Sequence, residues 1–162
     1  MAEVLEYSDM FYTNFDPKLN NQFIMDIAGI PSYLIKTAKK PSLSFETITL
    51  DHINLKRKMK GKADWGTVDI TLYDPIVGSG AQAVMEWVRT SHESLSGRDG
   101  YSSMYKKDLD FYQLGPVGDK VDQWKLKGAW ISSADFGNMD WAGSEAVEIS
   151  VTLTYDFAVL EY

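Results

Sequence analysis

Few residues in this sequence have the type and spacing that chemistry requires. The two histidines, His52 and His92, each lack a second ligand at a metal-binding spacing, so both are expected to be surface or partly packed side chains. Ser79 lies in Gly78-Ser79-Gly80, which lacks the Gly-x-Ser-x-Gly pattern of a nucleophile elbow and the third glycine of a dinucleotide-binding turn. A turn that leads into a helix explains this tripeptide better.

Two acidic motifs are equally weak. Asp135-Phe136-Gly137 matches the kinase metal-binding triplet, but the kinase catalytic loop and glycine-rich loop are missing from the sequence. Asp108 and Asp110 could hold a divalent cation, yet the glycine and distal glutamate of a calcium loop are missing, which favours a solvated strand or loop. The sequence therefore predicts no catalytic residue, no metal site, no cofactor and no enzymatic activity.

The five tryptophans allow two interpretations. They could form a sugar-binding platform, but they occur in strand-like or helical runs with apolar neighbours, which favours packing in a core. They are Trp65, Trp87, Trp124, Trp130 and Trp141. A monomeric β-sandwich that binds a ligand through exposed tryptophans stays a distant alternative.

Composition limits the class of protein. The 162 residues suffice for one domain with a full core, and 44% hydrophobic and 13% aromatic residues argue against wholesale disorder. No apolar run approaches the eighteen residues of a membrane span, and the acidic N-terminus lacks the basic region of a secretory signal. The lack of cysteine suits a reducing cytosol, and the net charge of −7 argues against general nucleic-acid binding to the outer surface.

The charge is unevenly distributed. Between Lys36 and Lys62 the sequence holds eight basic and two acidic residues, a net +6, which leaves −13 for the remainder. A solvated loop is one explanation. The other is a basic arm that docks on the acidic body of another copy or of a partner.

Hydrophobic periodicity indicates strands almost throughout. The strongest signal is strict apolar–polar alternation from Val147 to Phe157, which predicts a half-buried strand. A further strand is predicted over Tyr105–Leu114 and a single helix over about 81–92. The predicted fold is mainly β: two packed antiparallel sheets, sandwich- or barrel-like, with one flanking α-helix and a long extended hairpin arm. The predicted organisation is an N-terminal arm (1–20) and one β domain (21–162), with an arm or long loop at about 39–64.

Three stretches together resemble a known family. They are ADWGTVDITLYD from Ala63, YKKD from Tyr105, and the block from Lys127 to Asp156 that contains KGAW, FGNMDW and VTLTYD. Over about residues 21–157 the chain resembles the tail tube protein of contractile-tailed, myovirus-type bacteriophages. That family is related to the tube proteins of type VI secretion. Two features depart from the family: Ile131 stands where proline is common, and residues 1–20 find no clear counterpart.

The resemblance implies a structural role. Six copies would form a ring, and rings would stack into the inner tube of a contractile tail, a conduit for genome delivery into the host. The implied partners are further copies of this chain, the tail sheath protein, baseplate and tail-terminator proteins, and DNA or a tape-measure protein passing through the lumen without specific binding. No membrane insertion by this chain is implied. The implied location is the virion tail tube, assembled in the host cytoplasm. The tube of a bacterial contractile injection or type VI-like system is the alternative.

Two groups of residues are expected to serve this assembly. The basic stretch is expected to form a ring-stacking arm, because a basic arm against an acidic body suits a head-to-tail contact; it comprises Lys56, Arg57, Lys58, Lys60 and Lys62. Polar faces of alternating strands are expected to line the lumen, where acidic groups would repel DNA phosphates. The candidates are Asp69, Thr71, Glu148, Thr152, Thr154 and Asp156.

Overall fold

Strands dominate the computed structural model, which describes residues 16–162. The strands are β1 (Phe23–Asp26), β2 (Ile35–Ala38), β3 (Leu43–His52), β4 (Leu55–Trp65), β5 (Val68–Tyr73), β6 (Lys107–Leu114), β7 (Lys120–Asp135), β8 (Glu148–Thr154) and β9 (Phe157–Glu161). The helices are α1 (Gly80–Ser91) and the single-turn α2 (Ser102–Tyr105). The mainly β, antiparallel fold with one flanking helix and an extended hairpin is confirmed.

Strand β7 organises the body of the protein. The antiparallel order is β1-β6-β7-β8-β5-β2, and β9 also pairs with β7. The first half of β7 pairs with β6 and β9, whereas its second half pairs with β8. One long strand therefore belongs to both halves of the sheet. Strands β3 and β4 pair with each other and form a separate two-stranded sheet.

The core lies between the two halves of this sheet. One half contributes Met25, Leu109, Phe111, Leu126 and Ala158. The other half contributes Val68, Ile70, Leu72, Ile149, Val151 and Leu153. In β5 and β8 every second side chain is buried, which follows from the period of two that the sequence shows.

Helix α1 closes one side of this core. The Ser79 side chain accepts a hydrogen bond from the Gln82 amide and caps the helix, which explains the Gly-Ser-Gly turn as a helix start. Val84 and Trp87 are buried, and the Trp87 indole Nε1 donates to the Tyr105 carbonyl at 2.8 Å. The helix prediction is accurate to within one residue at each end.

Strand β7 changes partner from β6 to β8 just after Gly128, and the strand bends at this residue. Its φ of +65° is in the left-handed region that favours glycine. The Gly128 amide donates to the Asp108 carboxylate at 3.2 Å, and the Lys127 ammonium donates to the same carboxylate at 2.6 Å. On the other side, Lys106 donates to both carboxylate oxygens of Asp156. These charged groups join the two halves of the sheet at the point where β7 bends.

Four details of the sequence prediction are wrong. The alternating run from Val147 does not continue to Phe157: β8 ends at Thr154, the Asp156 amide donates to the Lys127 carbonyl at 3.0 Å, and β9 then runs back along β7. Tyr105 lies in α2 rather than in a strand, because the Lys106 amide donates to the Ser102 carbonyl at 3.1 Å and closes a helical turn. The other two errors concern the connection after β7.

That connection begins later than predicted. The serine, aspartate, glycine and asparagine residues of 132–144 predict a turn-rich connection, but Ser133 to Asp135 pair with β8 and continue β7. Trp141 was expected to pack in a core, but it lies fully exposed in the loop of residues 136–147. The division into residues 1–20 and 21–162 stays a prediction, and most of that N-terminal arm lies outside the described residues.

The Asp108 cluster makes stability depend on pH. The hydrogen bonds from Lys127 and from the Gly128 amide lower the pKa of Asp108 below its ordinary value. A carboxyl whose pKa is lowered by folding stabilises the native state above its ordinary pKa, and this contribution is lost as the pH falls below about 4. Asp108→Asn should therefore lower the midpoint temperature of thermal unfolding at pH 7. The difference in midpoint temperature between variant and wild type should shrink toward pH 3. A difference that is constant with pH would contradict this account.

Candidate assembly surfaces

The β3–β4 hairpin lies outside the core of its own chain. All ten residues of β3 are exposed, and within residues 16–162 neither strand pairs with any strand of the body. A strand of that length extends roughly 30 Å. Its base is held by backbone hydrogen bonds, from Gly66 to the Ser42 carbonyl and from Lys39 to the Asp69 carbonyl, both 2.9 Å.

The hairpin has two different faces. Residues opposite each other in the register share a face. One face is largely apolar and pairs Ile48 with Met59, Leu50 with Arg57, and His52 with Leu55. The other is polar and basic and pairs Thr47 with Lys60, Thr49 with Lys58, and Asp51 with Lys56. An exposed strand pair with an apolar face is typical of a surface that becomes covered by a partner.

All five predicted arm residues lie on β4. Lys56, Lys58 and Lys60 share the basic face, Arg57 lies on the apolar face, and Lys62 lies at a bulge opposite Glu46. The Lys60 ammonium lies 4.1 Å from the centre of the Phe45 ring. Within residues 16–162 none of the five forms an ion pair. Their charges are therefore available to an external acidic surface.

The tip of the hairpin is strained. Ile53 and Asn54 form a two-residue turn between His52 and Leu55, and Ile53 has a φ of +49°. This backbone region is unfavourable for a β-branched residue, by about 1–2 kcal/mol, and hairpin turns of this length prefer glycine, asparagine or aspartate there. Ile53 is also 93% exposed. Neither backbone preference nor burial in its own chain explains an isoleucine at this position.

Replacing Ile53 with glycine tests this strain. Glycine adopts the left-handed φ without strain, but it loses more backbone entropy on folding than isoleucine does. The net effect should be to stabilise the turn by about 0.5–1 kcal/mol. Amide hydrogen exchange in β3 and β4 should then slow roughly two- to fivefold. Asn54→Gly is the control, because Asn54 has no positive φ to relieve. Faster exchange in the Ile53 variant would mean that the turn is not strained.

Five of the six lumen candidates lie on one face of the body. Asp69 and Thr71 of β5, and Glu148, Thr152 and Thr154 of β8, all point away from the core because their neighbours along each strand are buried. Thr152 lies opposite Asp69 and donates to its carboxylate at 2.9 Å. Asp156 lies beyond the end of β8, at the bend beside Gly128.

Two lysines moderate the acidity of this face. Lys36 forms an ion pair with Glu148, and its hydrogen bond to that carboxylate raises the pKa of Lys36. Lys39 Nζ lies 3.8 Å from an Asp69 carboxylate oxygen. The face is thus polar and mixed in charge, with hydroxyl groups between the ion pairs. That these residues line a lumen stays a prediction, and the ion pairs from Lys36 of β2 and from Lys39 just after it were not anticipated.

The β7–β8 loop, residues 136–147, is a third exposed feature. Met139 and Trp141 are fully exposed, and the loop surrounds an open hollow lined from Gly137 to Glu148. After Lys127 the sequence holds six acidic residues and no basic one. Sequence reasoning assigned this loop no role; the signal that the sequence offered was Trp141 between the acidic residues Asp140 and Glu145.

Chemical sites are sparse. Within residues 16–162 no group of three or more histidine and acidic side chains is arranged to hold a metal ion. No helix in this part of the chain is long and apolar enough to cross a membrane.

Comparison with known proteins identifies the fold. No protein-family model matches the sequence, and no curated protein sequence is detectably similar to it. Among solved structures, a chain of the anti-feeding prophage cap superposes with a TM-score of 0.76 at 17% identity, covering 97% of this chain and 99% of that one. A chain of the sheath–tube complex of the extracellular contractile injection system PVC superposes with a TM-score of 0.70 at 16% identity, covering 98% and 99%.

A more distant similarity extends the same relationship. Hcp1 from Flavobacterium johnsoniae superposes with a TM-score of 0.54 at 14% identity, covering 86% of this chain and 94% of that one. The chain therefore has the fold found in tube and terminator assemblies of contractile injection systems. Within that class it has the fold of a tube protein related to Hcp of type VI secretion.

Proposed function

We propose that this protein is a structural subunit of the inner tube of a contractile injection device, and that it assembles into hexameric rings that stack. The observation that supports this best is the superposition over nearly the full length of both chains with components of sheath–tube and cap assemblies. The proposed role is mechanical and non-catalytic, with a sheath, a baseplate and a terminator as partners.

Free sheet edges support ring formation. Strands β1 and β2 lie at the two ends of the strand order, so each leaves one edge without a partner among the described residues. Unpaired edges promote association with other chains, and a closed ring removes them. In the proposed tube the polar face of β5 and β8 lines the lumen, where Asp69, Thr71 and Thr152 present a wet surface over which cargo slides.

Two settings fit this role. In a contractile phage tail the tube delivers the genome into the host, as the sequence resemblance implies. In a bacterial contractile injection system it delivers another cargo. The superpositions with chains of the anti-feeding prophage, of PVC and with Hcp1 are equally consistent with both settings. Neighbouring genes separate the two: capsid and terminase genes accompany a phage tail, whereas a secretion ATPase without capsid genes accompanies an injection system.

Electron microscopy of the purified protein in negative stain tests the proposal. The expected particles are sixfold rings or tubes, roughly 100 Å wide for domains of this size. Mixing with the cognate baseplate supplies a nucleus if rings do not stack alone. A protein that stays monomeric with the baseplate present would contradict the proposal and favour a monomeric ligand-binding β-sandwich.

A further inference from the structure

The hairpin and the β7–β8 loop leave the body at opposite ends of one strand ladder. In the register of β5 with β8, Val68 pairs with Leu153 at one end and Tyr73 pairs with Glu148 at the other. The hairpin precedes Val68 directly in sequence, and the loop ends at Glu148. The length of the ladder therefore separates them.

The end of the body that carries the β7–β8 loop, called here the loop end, exposes both acidic and apolar side chains. Asp140 and Glu145 project from the loop, and within residues 16–162 neither forms an ion pair. Met139 and Trp141 lie beside them, and Ile76 from the β5–α1 connection is also fully exposed. The Asp74 amide in that connection donates to the Val147 carbonyl at 3.2 Å, which ties the two segments together.

We propose that the β3–β4 hairpin of one copy docks on the loop end of the next copy, with its lysines facing Asp140 and Glu145 and its apolar tip against Met139 and Trp141. This inference rests on the proposed function and specifies the surface that receives the arm. The occupant is a second copy of this chain, because both surfaces carry exposed apolar side chains and their charges are opposite.

The strained tip supports the same contact. Ile53 keeps an unfavourable φ and an exposed apolar side chain, and strain that no local interaction requires is typical of a functional contact. The contact is heterologous, since hairpin and loop are different surfaces at opposite ends. A contact of this kind repeats along one direction and produces an open stack.

Charge exchange tests the pairing. One variant carries Lys58→Glu with Lys60→Glu, a second carries Asp140→Lys with Glu145→Lys, and a third combines all four changes. Each of the first two should shorten tubes at least about tenfold while rings still form, and the combination should restore tubes to within about twofold of wild type. Arg89→Glu with Arg98→Glu makes the same charge change on the helix side and should leave tube length unchanged. Circular dichroism of each variant verifies the fold.

A second measurement does not depend on variants. A carbodiimide, which joins lysine amines to adjacent carboxylates without a spacer, should link Lys56, Lys58 or Lys60 to Asp140 or Glu145 in assembled wild-type tubes and not in isolated rings. Tubes that form without these links, or charge exchange that does not restore stacking, would overturn the docking while leaving the tube function intact. Wild-type protein that forms neither rings nor tubes would overturn both.

Discussion

Replacing Gly128 with alanine is expected to destabilise the body by about 2–4 kcal/mol. The left-handed φ of +65° costs an alanine about 1–2 kcal/mol of this. The remainder comes from collision, because a Cβ at this position would lie 2.3 Å from an Asp156 carboxylate oxygen. To relieve that contact the carboxylate must move, which breaks its hydrogen bonds from Lys106. Urea denaturation of wild type and variant measures the difference.

Two further variants separate the causes. Gly97 has nearly the same φ, +66°, but nothing lies within 4 Å of its added Cβ, so Gly97→Ala should show the backbone cost alone. Introducing Gly128→Ala into an Asp156→Ala background removes the colliding carboxylate, so its additional cost should fall to that of Gly97→Ala. Equal losses for Gly97→Ala and Gly128→Ala in the wild-type background would show that collision at the bend contributes nothing.

Reversing four charges of the arm should abolish stacking but preserve rings. The variant changes Lys56, Arg57, Lys58 and Lys60 to glutamate, and none of these side chains is in the core. If the charges contribute about 1 kcal/mol per subunit, six subunits lose about 6 kcal/mol per ring interface, or on the order of 10⁴ in its equilibrium constant. Tube length distributions in electron micrographs measure the loss, and the ring fraction measures whether lateral assembly survives.

A charge-preserving variant is the matched control. Changing the three lysines to arginine keeps the charge and the position, so tubes should form at near wild-type length. Raised salt should shorten wild-type tubes, because exposed charges are screened over distances of about 10 Å at 0.1 M. Normal tube length in the glutamate variant would show that the basic stretch does not drive contact between rings.

The sequence predicted the strands because half-buried sheets impose a period of two. Val68, Ile70 and Leu72 alternate with polar residues as β5 requires, and β8 does the same. The break after Thr154 was not predictable, because Asp156 is polar and Phe157 apolar just as an unbroken strand would have them. The break depends on Lys106 and Lys127, which are far away in sequence.

The candidate surfaces were predictable to different degrees. The arm was visible because its strands alternate and its charge is concentrated, so Lys56 to Lys62 were placed correctly on an extended hairpin. Trp141 was misplaced because an aromatic side chain predicts burial on average. The positions of arm and loop at opposite ends follow from the pairing of β5 with β8, and a register between strands about 80 residues apart has no local signal.

The direction of the β5–β8 ladder has a mechanical consequence. Force applied between the hairpin and the β7–β8 loop acts parallel to both strands, from the Val68–Leu153 end to the Tyr73–Glu148 end. Under such shear the backbone hydrogen bonds between the strands share the load and must yield together, whereas a pull across the strands would open them one after another. The same pairing that holds the core in register thus makes the body resist force along the β5–β8 ladder, the direction that joins the two surfaces of the proposed docking.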